Sequence, residues 1–321
     1  MGSSLPAVKA ESVRLVSNSG LTWIDVEDPT QGEMSELGRE YSLHPLNLDD
    51  CLSKRQLPKV DDYEDNLFVL LQFPIYDKET GLVHESQTSL FLGKNYVITA
   101  HRKELKILGD LFRSCQNDAG ERETGMKSTT HLFYHIIDAL VDDLFPILNI
   151  VMTELDDIED KVFDAKVSAA KEINRQRRVI ADLRRMIAPL RRLFLDITVN
   201  ASRFSEEDLR KYFSDVGDHI EKAWAILDEA RETIEIYKDT DFVLSTEVTN
   251  KVLAVLTIIF TLTIPATVIG GIYGMNVPLP GGLSSGPLTF FGPFTTFLVL
   301  MMLALVPALV MLFYFSRKGW M

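Results

Sequence analysis

Hydrophobic and polar positions change their pattern several times along the chain. Residues 21–104 alternate with the two-residue period of β-strands, most clearly in Leu67–Phe73, Ser89–Leu92 and Tyr96–Ala100. Gly81 and Gly93 mark turns between these runs. Shorter helical stretches are predicted at residues 31–40 and 104–113. Residues 1–128 are therefore predicted to form an α+β domain, an α/β sandwich.

From residue 129 the pattern predicts long helices, with breaks at 165–169 and 202–206. The last of them carries apolar residues at spacings of three and four, which is typical of a heptad seam: Ile220, Ala223, Leu227, Ala230, Ile234, Tyr237, Leu244 and Val248. Continued through Val252, this helix would span about 50 residues, or about 75 Å, before Pro265. Residues 129–251 are thus predicted to be a helical stalk whose seam needs partner helices from the same chain or from other copies.

Two uncharged apolar segments follow, at Val252–Ile272 and at about 287–315. Either is long enough, as a helix, to cross a hydrocarbon layer of about 30 Å. Lys251, Arg317 and Lys318 flank the pair, so the positive-inside rule places both termini in the cytoplasm of a multi-pass inner-membrane protein. The predicted divisions are a first transmembrane helix at 252–273, an outer loop at 274–287, a second transmembrane helix at 288–315 and a basic tail at 316–321.

Composition separates these parts further. The chain has 33 basic and 46 acidic residues, a net charge of −13, and its acidic residues all precede Lys251. An acidic body argues against nucleic acid as a partner and is compatible with cation binding, or simply with solubility. The two cysteines imply no disulfide framework, and residues 1–19 lack the apolar core of a signal peptide.

One segment of this acidic chain is strongly basic. It holds eight basic residues between positions 171 and 192: Lys171, Arg175, Arg177, Arg178, Arg184, Arg185, Arg191 and Arg192. No aromatic residues interleave with them as in a nucleic-acid surface. A neighbouring acidic tract, Glu154 to Asp160, offers a partner helix, so pairing between helices or plain solvation is the simpler interpretation.

Catalytic signatures are not found in the sequence. The six histidines show no close His-x-x-His or Cys-His spacing, and there is no glycine-rich phosphate loop, nucleophile elbow or His-Glu-x-x-His motif. The chain is therefore not predicted to be an enzyme.

The first apolar segment is rich in small and hydroxyl residues: Thr257, Thr261, Thr263, Thr267, Gly270, Gly271 and Gly274. Small residues let helices approach closely, and hydroxyl groups can face water. Because two helices from one chain cannot enclose a water-filled path, several copies would have to do so. The alternative is that these residues only pack helices together.

Several motifs resemble, in order along almost the whole chain, the CorA family of divalent-cation channels. They are Leu43–Leu46, Leu48–Asp50, Gln56–Lys59, Ile137–Asp143, Pro189–Arg191, Tyr212–His219, Leu256–Ile259 with Pro265, and Tyr273–Asn276. The resemblance implies a funnel-shaped homopentamer in a lipid bilayer, with the first transmembrane helix of each copy lining the pore. By position in the motif, the pore-lining residues would be Asn250, Leu253, Leu256, Phe260, Ile264, Thr267 and Gly271.

The resemblance also assigns ion selection to Gly274, Met275 and Asn276. Mg²⁺ gives up water reluctantly, so a ring of neutral amide oxygens can bind the hydrated ion and still release it. Below that ring, Leu253, Leu256, Phe260 and Ile264 would form apolar rings that stop ion flow by drying the passage. For Phe260 the alternative is a side chain that faces lipid or another helix.

The motif match further implies a regulatory metal site between subunits at Asp50 and Asp215, with Asp49 and Asp138 assisting. Carboxylates drawn together repel one another unless a hard cation bridges them, so bound Mg²⁺ would clamp a closed state.

The outer loop departs from the family pattern, because residues 277–287 carry no charge where many members have Met-Pro-Glu-Leu. Similar loops occur in the zinc-transporting ZntB branch. The leading hypothesis is a channel for hydrated Mg²⁺, with Co²⁺ or Ni²⁺ as further cargo. The alternatives are a ZntB-like Zn²⁺ transporter and a non-conducting membrane-anchored scaffold or sensor.

Overall fold

The computed structural model describes residues 12–53, 56–164, 167–204, 207–277, 279, 290, 292 and 294–318. Its chain divides into two compact units, Met1–Asp239 and Thr240–Met321. The first unit contains a six-stranded mixed sheet and most of the helices. The second contains the apolar end of one long helix and a separate apolar helix.

The sheet has the strand order β1-β2-β6-β5-β4-β3. Only β2 and β6 are parallel, and every other neighbouring pair is antiparallel. The strands are β1 (Val13–Asn18), β2 (Leu21–Glu27), β3 (Lys59–Asp62), β4 (Asn66–Asp77), β5 (Leu82–Gly93) and β6 (Tyr96–His101). The three clearest runs of alternation in the sequence thus lie in β4, β5 and β6.

Nine α-helices occur in the described part of the chain. They are α1 (Gln31–Glu40), α2 (Pro45–Leu52), α3 (Lys106–Asn117), α4 (Ala119–Gly125), α5 (Thr129–Asp142), α6 (Leu144–Val162), α7 (Ala170–Ala201), α8 (Arg210–Tyr273) and α9 (Thr295–Arg317). The two predicted breaks lie between α6 and α7 and between α7 and α8. The second of them contains a short 3-10 turn, Ser202–Phe204.

The sheet is covered on both faces, because side chains alternate along each strand. On β4, Leu67, Val69 and Leu71 enter a large core shared with α3 and α5–α8. Phe68 and Leu70 point to the other face, into a smaller core closed by α1 and α2. The predicted α+β class is confirmed. The funnel shape and the pentamer remain predictions.

The N-terminal half of α8 packs by the predicted seam. Phe213, Val216, Ile220, Ala223, Leu227, Ala230 and Ile234 are buried in the larger core. Beyond them Tyr237 and Leu244 are half-buried and Val248 is exposed. The seam is therefore covered by the chain's own helices only as far as Ile234.

Three ion pairs join α7 to α8 at heptad spacing, and we call them the Arg–acid ladder. Its rungs are Arg177–Glu235 at 2.7 Å, Arg184–Asp228 at 2.5 Å and Arg191–Glu221 at 2.6 Å. Each step forward on α7 is matched by an equal step backward on α8, so the helices are antiparallel with one fixed register. The indole of Trp224 lies between the guanidinium groups of Arg184 and Arg191, 4.3 and 4.8 Å from its ring centre.

The ladder changes the expected pairing of the basic tract. The sequence predicted the acidic residues of α6 as partners, and one such pair is present among the described residues, Arg175–Glu154 at 3.3 Å. A second contact between the same helices, Lys161–Glu172 at 3.2 Å, has the opposite arrangement, with the basic residue on α6. The heptad-spaced arginines instead pair with α8. The reason is geometric: α8 carries acids at the same seven-residue interval, whereas the acids of α6 are one or two residues apart and spread around their helix.

A buried polar network lies between the parallel strands β2 and β6. Asp25 and His101 are 0% and 2% exposed, and His101 Nε2 lies 3.2 Å from Asp25 Oδ1. Thr99 Oγ1 donates to the same oxygen at 2.6 Å, and Arg14 binds Asp25 Oδ2. Burial lowers the pKa of His101, but the hydrogen bond and the charge of Asp25 raise it by more. Burial raises the pKa of Asp25, but His101, Thr99 and Arg14 hold it below its ordinary value.

We expect this pair to make stability depend on pH. A histidine whose pKa is raised by folding stabilises the fold below its unfolded pKa of about 6.5, and this contribution is lost as pH rises through the folded value. The melting temperature of the purified chain should therefore fall by a few °C as pH rises from about 6 to about 9. In His101→Gln this part of the dependence of melting temperature on pH should disappear. His84→Gln, an exposed histidine near Glu104, is the control; equal slopes in all three proteins would contradict the assignment.

Candidate functional site

The C-terminal part of α8 is long and apolar enough to cross a membrane, and so is α9. In both helices the apolar window is almost wholly exposed within the single chain. An exposed apolar helix is stable in lipid, where its backbone hydrogen bonds are already satisfied. These two helices are the elements that carry the predicted pore and its mouth.

The predicted pore-lining residues lie on one side of α8. At about 100° per residue, Asn250, Leu253, Leu256, Phe260, Ile264, Thr267 and Gly271 fall within an arc of about 120°. All seven are exposed in the single chain. The spacing is therefore compatible with a common axis, while the role of each residue stays a prediction.

The threonines of this segment bind the backbone of their own helix. Thr257 Oγ1 donates to Leu253 O at 2.7 Å, and Thr261 Oγ1 donates to Thr257 O at 2.7 Å. Thr263 and Thr267 make the same contact four residues back, at 3.0 and 2.9 Å. A hydroxyl that would be costly in lipid is satisfied in this way.

The Gly-Met-Asn tripeptide starts where α8 ends. Tyr273 is the last helical residue, and the amide of Gly274 still donates to Gly270 O at 2.9 Å. A Cβ at position 274 would lie 3.0 Å from that same carbonyl oxygen. Met275 and Asn276 follow as exposed bends. Glycine at 274 therefore lets the chain leave the helix without a clash, and the loop predicted at 274–287 lies, from residue 278 on, almost wholly outside the described residues.

Asp50 and Asp49 lie on α2, away from the membrane helices in sequence. The Asp50 carboxylate contacts Lys59 Nζ at 2.7 Å, and the same ammonium contacts Asp61 at 2.5 Å. Burial lowers the pKa of Lys59, but the hydrogen bonds with Asp50 and Asp61 raise it by more. Asp49 is exposed. Within one chain, the negative charge of Asp50 is thus already matched by a cation.

A second acidic group lies between α5 and α8. Asp138 and Asp142 are one turn apart on α5, and His219 Nδ1 on α8 lies 3.0 Å from Asp142 Oδ1. Ligand atoms of these three residues are all within 4.8 Å of one another. Burial and the nearby charge of Asp142 raise the pKa of Asp138. We call this group the α5–α8 acidic cluster.

Asp215 lies one helical turn before His219 on α8 and is exposed. Tyr134 connects the two sides, since its hydroxyl donates to Asp138 Oδ2 at 3.4 Å. Burial and the charges of Asp138 and Asp215 raise the pKa of Tyr134 to about 12. Tyr134 thus lies near both Asp138 and Asp215. No contact in the described residues joins either carboxylate to Asp49 or Asp50.

The sequence prediction missed Asp142 and His219. The signal was present, because Asp138 and Asp142 are four residues apart, and so are Asp215 and His219, which puts each pair on one helix face. The donor set suits a divalent cation, since carboxylates bind Mg²⁺ and an imidazole adds affinity for Zn²⁺, Co²⁺ and Ni²⁺.

An α+β unit followed by two apolar membrane-length helices, with Gly-Met-Asn at the end of the first, defines a class of membrane transport proteins. The sequence model described as CorA-like Mg2+ transporter protein matches residues 18–317. The chain belongs to this family, which confirms the predicted resemblance.

Individual relatives agree with that assignment. The cobalt/magnesium transport protein CorA of Thermotoga maritima is 30% identical over 305 residues, covering 94% of this chain and 83% of that protein. The zinc transport protein ZntB of Pectobacterium atrosepticum is 22% identical over 214 residues, 67% of this chain and 63% of its own. The structure of the CorA magnesium transporter from Methanocaldococcus jannaschii matches with a TM-score of 0.76 at 20% identity, covering 99% of this chain and 95% of that one. This last likeness establishes the fold.

Gly274→Ala tests the geometry of the tripeptide. The added methyl group would press on the Gly270 carbonyl, so the chain would leave the helix along another path and misplace Asn276. We expect cation uptake into liposomes to fall at least about tenfold, with unchanged helix content by circular dichroism. Gly270→Ala is the comparison variant, because it adds the same methyl group one turn earlier, inside the helix, where alanine is favoured over glycine. Equal activity of the two variants would refute the explanation.

Proposed function

We propose that the chain is a CorA-type channel that moves hydrated Mg²⁺ across the inner membrane, with Co²⁺ and Ni²⁺ as further cargo. The observation that carries the proposal is that Gly274, Met275 and Asn276 directly follow the last turn of a membrane-length helix. Family membership supports transport, and the geometry supports this tripeptide as the ion-selecting element. Both termini would lie in the cytoplasm.

In this proposal several copies, five by the family pattern, surround one axis. The α8 positions from Asn250 to Gly271 line the path, and the rings of Leu253, Leu256, Phe260 and Ile264 form the gate. An apolar constriction stops ions because a hydrated ion cannot pass where water is excluded. For a doubly charged ion, an inside-negative membrane potential favours entry by about 4.6 kcal/mol of free energy per 100 mV. No second energy source is therefore required.

A Zn²⁺ transporter is the second candidate. It is favoured by the uncharged residues 277–287 and by the similarity to the zinc transport protein ZntB. Against it, residues 252–318 contain no histidine or cysteine to bind Zn²⁺ directly. A non-conducting scaffold or sensor is the third.

Uptake into liposomes separates these functions. We expect purified chain to carry Mg²⁺ with an inward-negative potential and without a proton gradient. Asn276→Ala should reduce uptake or its preference for Mg²⁺ over Zn²⁺ by about tenfold, because the amide ring is lost. Asn149→Ala, an exposed amide on α6, is the control. Zn²⁺ uptake that needs a proton gradient would favour the zinc transporter. If neither ion is taken up, the result would favour the non-conducting scaffold or sensor.

For regulation, we propose that internal Mg²⁺ binds between neighbouring subunits at Asp50 and Asp215, with Asp49 and Asp138 assisting. The exposure of Asp49 and Asp215 supports this role. The raised pKa of Asp138 supports it as well, because burial and the charge of Asp142 disfavour the ionised carboxylate and a bound cation would offset both effects. Asp142 and His219 lie within reach of the same ion as Asp138.

Asp50→Ala combined with Asp215→Ala should weaken inhibition by internal Mg²⁺. The fold should tolerate the change, since Lys59 keeps Asp61 at 2.5 Å and Asp215 is exposed. We expect the half-inhibitory Mg²⁺ concentration to rise roughly tenfold, a usual size for coupling between two sites. Asp65→Ala with Asp218→Ala removes the same charge from exposed positions and should leave inhibition unchanged. If Mg²⁺ inhibits the Asp50→Ala, Asp215→Ala variant as strongly as wild type, the proposed regulatory site between subunits is rejected.

A further inference from the structure

A groove of about 600 Å³ lies between α7 and α8 beside the Arg–acid ladder. Arginines come from both of its walls, Arg177, Arg178 and Arg184 from α7 and Arg231 from α8. Asn174 adds an amide, and Glu235 is its one acidic lining residue. In a chain with a net charge of −13, this is a local concentration of positive charge.

The ladder accounts for two of the four guanidinium groups, since Arg177 and Arg184 each have an acid on α8. Arg178 and Arg231 have no partner in the ladder. Extending the ladder places Arg178 opposite Ile234 and Arg231 opposite Ala181, and both of those residues line the groove without charge.

Local acids compensate these two groups poorly. Arg178 Nε lies 3.8 Å from Asp182 on its own helix, and Asp182 also serves Arg185 at 3.2 Å. Arg231 is exposed, and within the described residues no carboxylate lies within 4.0 Å of it. Two guanidinium groups with little compensation therefore face one groove from opposite walls.

Guanidinium forks match the oxygen spacing of phosphate and bind it with two parallel hydrogen bonds. Two such forks on facing walls suit an anion with several linked phosphoryl groups better than a single carboxylate. The described lining holds no aromatic side chain on which a nucleic-acid base could stack.

We propose that this groove binds a linear polyphosphate, such as the triphosphate of a nucleotide, with Arg178 and Arg231 as its principal ligands. Asn174 is placed to donate to a bridging or terminal oxygen. Because phosphates are common Mg²⁺ ligands, a cation channel with such a groove would sense chelated as well as free Mg²⁺. That last consequence rests on the proposed function, while the binding itself does not.

Binding is measured on the full chain in detergent by calorimetry and by thermal shift, with inorganic tripolyphosphate and with ATP, each free of Mg²⁺. We expect wild type to bind both at about millimolar or lower concentration, more weakly as salt is raised. Arg178→Gln with Arg231→Gln should weaken binding at least tenfold, and its melting temperature without ligand should stay unchanged, because neither residue belongs to the ladder.

Lys171→Gln with Arg192→Gln is the matched control, since it removes two positive charges from α7 outside the groove. The proposal is overturned if wild type binds neither ligand, or if both double variants lose affinity equally. To test a lipid headgroup as the ligand, binding is also measured in nanodiscs of phosphatidylcholine with and without phosphatidylinositol bisphosphate. Binding confined to the phosphorylated lipid would assign the groove to a headgroup and overturn the proposal as well.

Uptake in liposomes is read separately for the same variants. Permeation without polyphosphate binding would reject the groove and leave the proposed function standing. Polyphosphate binding without permeation would support the groove and reject the proposed transport function.

Discussion

A single chain segment that passes from water into lipid can satisfy its backbone hydrogen bonds within itself if it is helical, and α8 is helical throughout. The same helix supplies the buried seam of the first unit, from Phe213 to Ile234, and the exposed apolar surface from Val252 to Tyr273. Its register in the first unit is held by the Arg–acid ladder. One continuous helix thus serves two environments, and the ladder acts on the part that packs within the first unit.

Much of this organisation could be read from periodicity. The helix at 31–40, the strands in β4, β5 and β6 and the breaks around α7 all follow from local pattern and turn residues. The strand order could not be read, because pairing β2 with β6 joins segments about 70 residues apart, and no local signal encodes that choice. For the same reason the partner of the basic tract was misjudged, since it depends on how α7 and α8 align.

The candidate site divides in the same way. Gly274 was recognisable from the resemblance of its tripeptide to the family motif, and the structure adds that a Cβ there would lie 3.0 Å from the Gly270 carbonyl oxygen. Asp142 and His219 were overlooked although their four-residue spacing from Asp138 and Asp215 was visible, because no local pattern shows that α5 and α8 bring the two pairs together. The pore face of α8 stays a prediction, since its burial depends on copies of the chain beyond the single one described.

The two groups of acidic residues differ in how their charge is balanced. Asp50 has an ammonium at 2.7 Å, so an ion arriving there has to compete with Lys59. The α5–α8 acidic cluster has the imidazole of His219, whose Nδ1 lies 3.0 Å from Asp142 Oδ1 and whose side-chain type commonly binds metal ions. Among the described residues, Asp50 thus has a lysine ammonium in contact, whereas no lysine forms an ion pair with the α5–α8 acidic cluster.

The threonines of α8 carry a consequence of their own. Each hydroxyl proton of Thr257, Thr261, Thr263 and Thr267 is committed to a carbonyl of the preceding turn, so only oxygen lone pairs remain on offer. A group that contacts one of these hydroxyl oxygens can therefore only donate to it. Along this part of α8 the four threonines act as acceptors, although a threonine in water usually offers a donor as well.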